Sequence, residues 1–468
     1  MSHTKDNDTP RGAGESSSAR TRPKLSRREF AKTSVVAGAV AVTAPNILRA
    51  DAQSDDAAPP AAKPSGGNVV TSEDWREGLT IPAEYYLDME HYKEDERYIA
   101  DNFWLMADNV KRIPEPGDFF VFKFGLRQSV VIVRGEDQEI RAFHNVCRHR
   151  GSRLCMHDED PRPRDDESLS VKQLGESGKT QSFRCPYHAW LYDLDGSLID
   201  AQNMHDDFDM VNSGLVPCHM RVEEGHIFLN FSQAAEPPPF ERLTKGGDYF
   251  EFAEKYGIAD LKIAARQSYP IQGNWKLALE NFLECYHCGA SHKTLVKTHD
   301  FDYTLTPSQK KRRQSRISVW LGREMAEGSG KLNPGFESGS LDGKKLAPLL
   351  PKLKEWAHIT DRVDTYWSTG YWRSYDDYVA VARFTPRGPE STDAEIVWLV
   401  HPDAVEGKDY DPDDLMALWD ITIREDAWLV ENNHVGVESG GYRAGHYAPA
   451  EGWPKDFIAW YMNEVVKG

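Results

Sequence analysis

The sequence predicts an α+β chain in which a small antiparallel β domain precedes a mixed domain of sheet and long helices. Between residues 104 and 230 the apolar residues come in short runs, such as 119–124 and 129–134, bounded by Pro116-Gly117-Asp118 and Gly135-Glu136-Asp137. Short runs punctuated by turn residues are the mark of antiparallel strands. After Pro237-Pro238-Pro239 the pattern lengthens to helical periods over 274–288 and 412–433, around strand-like stretches at 378–384 and 395–401. The chain of 468 residues is also too long for one ordinary core. The expected division is a β domain at 81–238 and a second domain at 239–468, preceded by a leader at 1–52 and a linker at 53–80 rich in Ala, Pro, Asp and Gly. A polar, charged run at about 157–180 reads as a surface insertion in the β domain.

Charge separates the leader from the rest. Residues 1–50 carry nine Lys+Arg against four Asp+Glu, a balance of +5 in a chain whose formal charge is -18. The acidic remainder argues against nucleic acid or an anionic membrane surface as a partner, because phosphate fields would repel it. Ser26-Arg27-Arg28-Glu29-Phe30-Ala31-Lys32 is followed by an uncharged, Ala- and Val-rich stretch at 33–47 and by Ala50-Asp51-Ala52. This resembles a twin-arginine export signal, which implies a periplasmic destination, with the cytoplasm as the alternative if the signal is not used. The apolar stretch is too short to favour a permanent membrane span.

Two short words carry metal chemistry: Cys147-Arg148-His149-Arg150-Gly151 and Cys185-Pro186-Tyr187-His188-Ala189-Trp190. Two thiolates and two imidazoles suit a 2Fe-2S cluster with cysteines on one iron and histidines on the other. The competing reading is a tetrahedral zinc site, which takes the same donors. The neighbours decide against zinc: Asn145-Val146 and Arg150-Gly151 around the first pair, and Tyr187 with Ala189-Trp190 around the second, resemble the wording of the Rieske oxygenases. The gap of 35 residues between His149 and Cys185 is long for that family, and the polar insertion accounts for the surplus. Ser152 stands where electron-transport Rieske proteins carry a disulfide cysteine, which places the chain with the low-potential oxygenases.

Downstream, Asn281 and Glu284 lead into Cys285-Tyr286-His287-Cys288-Gly289-Ala290-Ser291-His292. Oxygen activation at one ferrous ion needs two imidazoles and a carboxylate on one face. His287 and His292 are the candidate imidazoles, with Gly289 expected to end the helix and turn the second histidine back. This word resembles the mononuclear iron motif of the Rieske non-haem iron oxygenases, in the alpha subunit of the ring-hydroxylating type. The resemblance implies a helix-grip catalytic domain, an antiparallel sheet with a long helix. It also implies that Asp426 in Glu425-Asp426-Ala427-Trp428-Leu429-Val430-Glu431 is the third iron ligand, with Glu425 or Glu431 as alternatives. Asp426 would share a helix face with Trp419, Thr422, Leu429 and Asn433.

Glu284 and Asn281 are the candidate catalytic side chains. The family places a carboxylate at the position of Glu284 to bridge a Rieske histidine of a neighbouring subunit to an iron-ligand histidine, in a homotrimer. The glutamate form, with Glu-Cys-Tyr-His-Cys, is similar to the oxygenases of quaternary ammonium compounds such as glycine betaine, stachydrine and carnitine. Cys285 and Cys288 read as packing residues rather than a redox pair, and Cys155 and Cys218 as small buried hydrophobes. The aromatic run Tyr366, Trp367, Tyr371, Trp372, Tyr375 and Tyr378 is either a cage for a cation or core.

The expected protein is thus an oxidoreductase holding a 2Fe-2S cluster and a mononuclear ferrous ion, taking electrons from a redox partner, and using dioxygen on a small organic substrate. Monooxygenation, for example demethylation of a quaternary amine, is the first reading. Cis-dihydroxylation of an aromatic ring and an exported Rieske electron-transfer protein are the others. The intact set His287, His292, Asp426 and Glu284 speaks against the last.

Overall fold

The computed structural model of the protein describes residues 74–157, 173–240, 248–299, 332–364 and 370–467. The paired-arginine leader, most of the linker, the middle of the polar insertion, Tyr366 and Trp367 lie outside these residues. No helix of the described residues is long and apolar enough to cross a membrane.

Strands predicted from short apolar runs form where expected. β1 (Leu105–Asn109) is followed by β2 (Asp118–Phe124), β3 (Gln128–Arg134), β4 (Ile140–His144), β5 (Ser177–Lys179), β6 (Phe183–Arg184), β7 (Leu191–Tyr192), β8 (Leu198–Asp200), β9 (His219–Glu223) and β10 (His226–Asn230). They make three antiparallel sheets with orders β4-β3-β2-β5, β6-β7-β8 and β1-β10-β9. The predicted insertion is too generous at both ends. His157 is buried with its Nε2 3.0 Å from Ser129 Oγ, and β5 pairs with the edge of β2, Ser177 opposite Phe120. An unpaired sheet edge exposes a row of backbone donors and acceptors, so the end of a polar run is drawn into the ladder.

The second half is a five-stranded antiparallel sheet, ordered β11-β15-β14-β13-β12, from β11 (Lys262–Ile271), β12 (Asp361–Asp364), β13 (Gly370–Ser374), β14 (Tyr378–Gly388) and β15 (Ser391–Val400). Alternation along β14 and β15 divides the side chains cleanly. Ala380, Ala382, Phe384, Ile396 and Trp398 belong to the main core, whereas Val379, Val381, Val397 and Leu399 join Trp372, Phe228 and Tyr256 in a second apolar cluster. A sheet covered on both faces has no polar alternation to show, which is why these strands read as continuous apolar runs. Each fully buried large side chain there contributes about 2–3 kcal/mol.

The helices, in chain order, are α1 (Glu84–Leu87), α2 (Met89–Asn102), α3 (Asp248–Tyr256), α4 (Trp275–Phe282), α5 (Cys288–Ser291), α6 (Lys293–Thr298), α7 (Pro412–Glu438) and α8 (Gly452–Trp460). α7 begins where the sequence says it should: Pro412 stands at its first turn, and Asp411 accepts from the amides of Asp413 and Asp414. Its 27 residues lie against β11 and α4. The single helix expected over 274–288 is instead broken. α4 stops at Phe282, and the chain turns through 283–287 before α5 begins. Glu284 drives the break, its Oε2 accepting from the amides of both Tyr286 and His287 and so removing those donors from a continuing helix.

Two polar networks lock the sheets and the ends together. Asp108 on β1 is buried and accepts from Arg266 on β11 and from Arg112, while Arg266 also donates to Glu395 on β15. Burial opposes ionisation of Asp108, but the two guanidinium groups outweigh it and hold the carboxyl well below its usual range. Near the ends of the described chain, Glu280 on α4 accepts from Tyr86 Oη at 2.8 Å and Tyr447 Oη at 2.6 Å. Burial pushes the Glu280 carboxyl up to about 7, the two tyrosines opposing that rise. A carboxyl raised on folding binds its proton more tightly in the native state, so its stabilisation is complete below the usual value near 4.5 and is lost as pH climbs through about 7. Glu280→Gln should therefore flatten the fall in stability between those pH values, worth ~3 kcal/mol, in urea unfolding measured across that range. An unchanged slope would remove Glu280 as its cause.

Candidate redox and iron centres

The first centre is built by two loops at the ends of short strands. Cys147 and His149 follow β4, and Cys185 and His188 lie between β6 and β7. Each loop is closed by its own backbone: Cys147 N donates to Ser152 O and Gly151 N to Cys147 O, while Cys185 N donates to Trp190 O and Ala189 N to Cys185 O. Gly151 has φ of 79°, a conformation that a Cβ would strain, so the loop requires glycine at that point. Asn145, fully buried, braces the first loop by accepting from the amides of Leu154 and Cys155.

These turns bring the four predicted ligands together. Cys147 and Cys185 are buried side by side, and the Nδ1 atoms of His149 and His188 face each other at 3.1 Å, nearer the surface. Two imidazole nitrogens aimed at one point, with two sulfurs beneath, match the donor set of a Rieske cluster. Two neighbours shape the centre, Trp190 from the second motif word and Tyr192, which the sequence did not single out. The ring of Trp190 stacks on His149 at 4.7 Å, and the Tyr192 hydroxyl accepts from Arg148 N at 3.0 Å and lies 3.2 Å from Cys147 Sγ. Tyr192 lies two residues beyond that word, and alternation along β7 was the signal that could have placed it inward. All six cysteines are free. Cys155 and Cys218 are buried, and burial pushes both thiols up to about 12, as packing residues require.

The second centre forms where the broken segment after α4 meets α7. His287 Nε2 and His292 Nε2 lie 3.0 Å apart, and Asp426 Oδ1 is 3.2 Å from the first and 2.9 Å from the second. The five-residue spacing works because α5 is a single turn with His287 before it and His292 after it. Gly289, expected to end a helix, instead sits within that turn. Each imidazole is oriented by a carboxylate on its other nitrogen: Glu284 Oε1 is 2.5 Å from His287 Nδ1, and Glu425 Oε2 is 2.8 Å from His292 Nδ1. Such partners fix ring orientation and raise ligand basicity. Glu425 thus stands behind a histidine rather than in the ligand cluster, and Glu431 is used elsewhere, accepting from Gln272 N.

The buried face of α7 runs through Leu415, Trp419, Thr422, Asp426, Val430 and His434. Trp419 and Thr422 share it with Asp426 as expected. Val430 and His434 replace Leu429 and Asn433, because a 3.6-residue period drifts across so long a helix.

The donor set favours a divalent cation. Burial disfavours a charged His287, yet Asp426 and Glu284 outweigh it and raise the imidazole to about 10; His292 is raised likewise, against its burial, by Asp426 and Glu425. A site with that negative field holds protons until a metal replaces them. Cys288 Sγ is 4.0 Å from His287 Nε2, but its hydrogen bond with Cys285 and its burial keep the thiol protonated, so Asp426 is the better third donor. Two imidazoles and one carboxylate with space beside them form the facial set of non-haem iron enzymes. Asn281 lies close by, its Nδ2 3.3 Å from His287 Nε2 and its Oδ1 buried with no partner among the described residues.

Space beside the triad is a cleft of about 420 Å³, open solvent at its mouth included, lined by Phe282, Leu295, Tyr371, Trp419, Arg362 and Arg373 as well as by Cys285, Cys288 and the triad. The aromatic run divides around it. Tyr371 faces the cleft, Trp372 is buried in the second apolar cluster, and Tyr375 and Tyr378 are core residues bonded to His299 and to Gly339 O.

Comparison with known proteins agrees with this geometry. Residues 103–218 match the Rieske [2Fe-2S] domain and residues 258–466 the ring hydroxylating alpha subunit catalytic domain. The glycine betaine monooxygenase oxygenase subunit of Pseudomonas aeruginosa is 30% identical over 424 residues, covering 86% of this chain and 93% of that one. The carnitine monooxygenase oxygenase subunit of Acinetobacter pittii is 34% identical over 222 residues, 46% of this chain and 52% of that one. The crystal structure of a quaternary ammonium Rieske monooxygenase in its apo form shares the fold, with a TM-score of 0.59, 24% identity, and coverage of 82% of this chain and 95% of that one. With its cluster domain, its iron-type catalytic domain and a relative matched over nearly its full length, the chain belongs to the Rieske non-haem iron oxygenases.

Proposed function

We propose that the protein is a monooxygenase that removes a methyl group from a quaternary ammonium compound. The observation that carries this reading is the meeting of His287 Nε2, His292 Nε2 and Asp426 Oδ1 at the end of a small cleft walled by Phe282, Leu295, Tyr371 and Trp419. Apolar and aromatic walls suit methyl groups and a cationic nitrogen. The relatives named for glycine betaine and carnitine support the same substrate class. The net change balances as R–N(CH₃)₃⁺ with O₂, two electrons and one proton giving R–N(CH₃)₂, formaldehyde and water. Aromatic cis-dihydroxylation is the second reading and makes no formaldehyde.

When bound, the 2Fe-2S cluster supplies electrons from a reductase, and the ferrous ion supplies the activation of dioxygen. In this reading Cys147, His149, Cys185 and His188 hold the cluster, and His287, His292 and Asp426 hold the ferrous ion. Glu284 and Glu425 keep the two imidazoles aimed at a common point, and Glu284 Oε1 holds or passes the proton of His287 Nδ1. Asn281 holds its Nδ2 beside His287 Nε2, and its Oδ1, without a partner among the described residues, is an acceptor beside the triad. The side chains of Phe282, Leu295 and Trp419 exclude water from the apolar side of the cleft.

We propose further that the chain works as a homotrimer in which the cluster of one protomer docks beside Glu284 of the next. Exposed aromatic surface next to each centre supports this: Tyr187 is 57% exposed beside His188, and Tyr286 and Trp428 are 59% and 63% exposed beside Glu284 and Glu425. Apolar surface of that kind next to a redox centre suits docking. The leader with Arg27-Arg28 is proposed to direct the folded, cluster-loaded protein to the periplasm, which requires an electron donor there.

Three outcomes test these readings. Iron analysis should find about three irons per chain, falling to about two in His287→Ala with the cluster spectrum intact; a count unmoved by that substitution would remove His287 from the ligand set. Oxygen uptake with an artificial reductant should be stimulated by quaternary amines with formaldehyde in equal yield, and stimulation by aromatic acids alone would favour dihydroxylation. Fractionation of cells expressing the full chain should place it in the periplasm, and Arg27→Lys with Arg28→Lys should retain it in the cytoplasm. Cytoplasmic protein with both arginines intact would end the export proposal.

A further inference from the structure

The cleft beside the triad contains a charge that the demethylation chemistry does not use. β12 and β13 are antiparallel, and their register sets Arg362 directly opposite Arg373. Both arginines line the cleft, as does Tyr371, two residues from Arg373 and therefore on the same face of β13. Like charges directly opposite on paired strands repel one another. Nothing in the packing of β13 requires a cation at that position, since Trp372 supplies its burial on the other face.

Arg373 is poorly matched within the protein. Nη1 donates to Thr360 Oγ1 at 3.2 Å, its guanidinium carbon lies 5.6 Å from the Trp419 ring centre, and its Nε is buried with no hydrogen-bond partner. No carboxylate of the described residues lies within 4.0 Å of it. Three other arginines of the sheet do meet a carboxylate: Arg266 and Arg383, whose Nε is likewise unbonded, pair with Glu395, and Arg387 pairs with Asp393. A buried guanidinium nitrogen left without an acceptor is destabilising, which a ligand anion would relieve.

The arginines also constrain the other end of the substrate. Arg362 sits 4.4 Å from the Tyr371 ring centre, so two of the rings that could receive a cationic nitrogen, Tyr371 and Trp419, are already faced by guanidinium. A substrate that is only a cation would meet the guanidinium of Arg373, which has no carboxylate of the described residues beside it. One that carries a carboxylate a few bonds from its quaternary nitrogen satisfies both ends: the methyl groups lie toward His287, His292 and Asp426, whose carboxylate neighbours attract the cation, and the carboxylate lies toward Arg373.

We propose that Arg373 is the specificity-determining residue of the cleft, binding the carboxylate of a zwitterionic quaternary amine and selecting it over the corresponding amino alcohol. This rests on the reading of the protein as a quaternary amine demethylase, and the probes below separate the two. Glycine betaine carries both charges, choline the same trimethylammonium group without the carboxylate, and 3,3-dimethylbutyrate the same shape and carboxylate without the cation.

Calorimetric titration of the iron-loaded protein should show that glycine betaine and 3,3-dimethylbutyrate both bind and that choline binds at least tenfold more weakly than glycine betaine. Arg373→Gln should weaken the two carboxylates about a hundredfold and leave choline unchanged or tighter. Arg373→Lys, which keeps the charge but loses the planar fork, should weaken them about tenfold. In turnover, KM for glycine betaine should rise by the same factors with kcat altered much less. If Arg373→Gln does not retain its iron, Arg373→Lys carries the comparison. Choline bound and oxidised by the native protein as well as glycine betaine, or carboxylate binding indifferent to Arg373, would overturn the proposal. Failure of every quaternary amine to be demethylated, with binding of 3,3-dimethylbutyrate still dependent on Arg373, would sink the substrate reading alone and leave the anion site standing.

Discussion

The candidate iron centre depends on one approach, that of Asp426 on α7 to the two imidazoles that follow α4. A carboxylate oxygen and two ring nitrogens within 3.2 Å of one another are held there by large opposing effects: the cost of burying charge, and the attraction between groups that can share protons or a metal. The approach is possible because α7 lies along β11 and α4, and because Asp426 falls on the same buried stripe as Leu415, Trp419 and Val430. A helix anchored by that much apolar surface can afford one buried acid. Glu284 and Glu425 then hold the rings from behind, so the geometry is determined before any metal arrives.

The cluster loops solve a different problem, with little regular structure to lean on. Their strands are two to five residues long, and the loops are held instead by backbone bonds across each turn and by the buried side chain of Asn145. Sulfur donors are placed inside, against Leu154, Phe183 and Trp190, and imidazoles outside. This puts the thiolate end in a dry environment and the imidazole edge at the surface, next to Tyr187.

Glu284 joins the two parts of the local design. The same carboxylate that orients His287 also accepts from backbone amides and breaks the helix, so that His287 and His292 can face each other across a single turn. Had the helix continued, histidines five residues apart would have pointed well away from one another. Orientation and chain direction are thus set by one side chain, and replacing it changes both.

The donor types of both candidate centres, the order of the two domains and the strand runs were legible in the sequence, because metal-ligand spacing and short apolar runs between turn residues leave local marks. The carboxylate was read from resemblance, since a ligand that arrives from a helix more than a hundred residues away carries no local mark of its partners. What only the tertiary structure decided was direction. It broke the helix at Phe282, gave Glu425 to the far side of His292, sent Trp372 into the core while Tyr371 faced the cleft, and set Arg362 opposite Arg373 by strand register. These follow from packing and pairing between distant segments, whose energies appear only when the chain is folded.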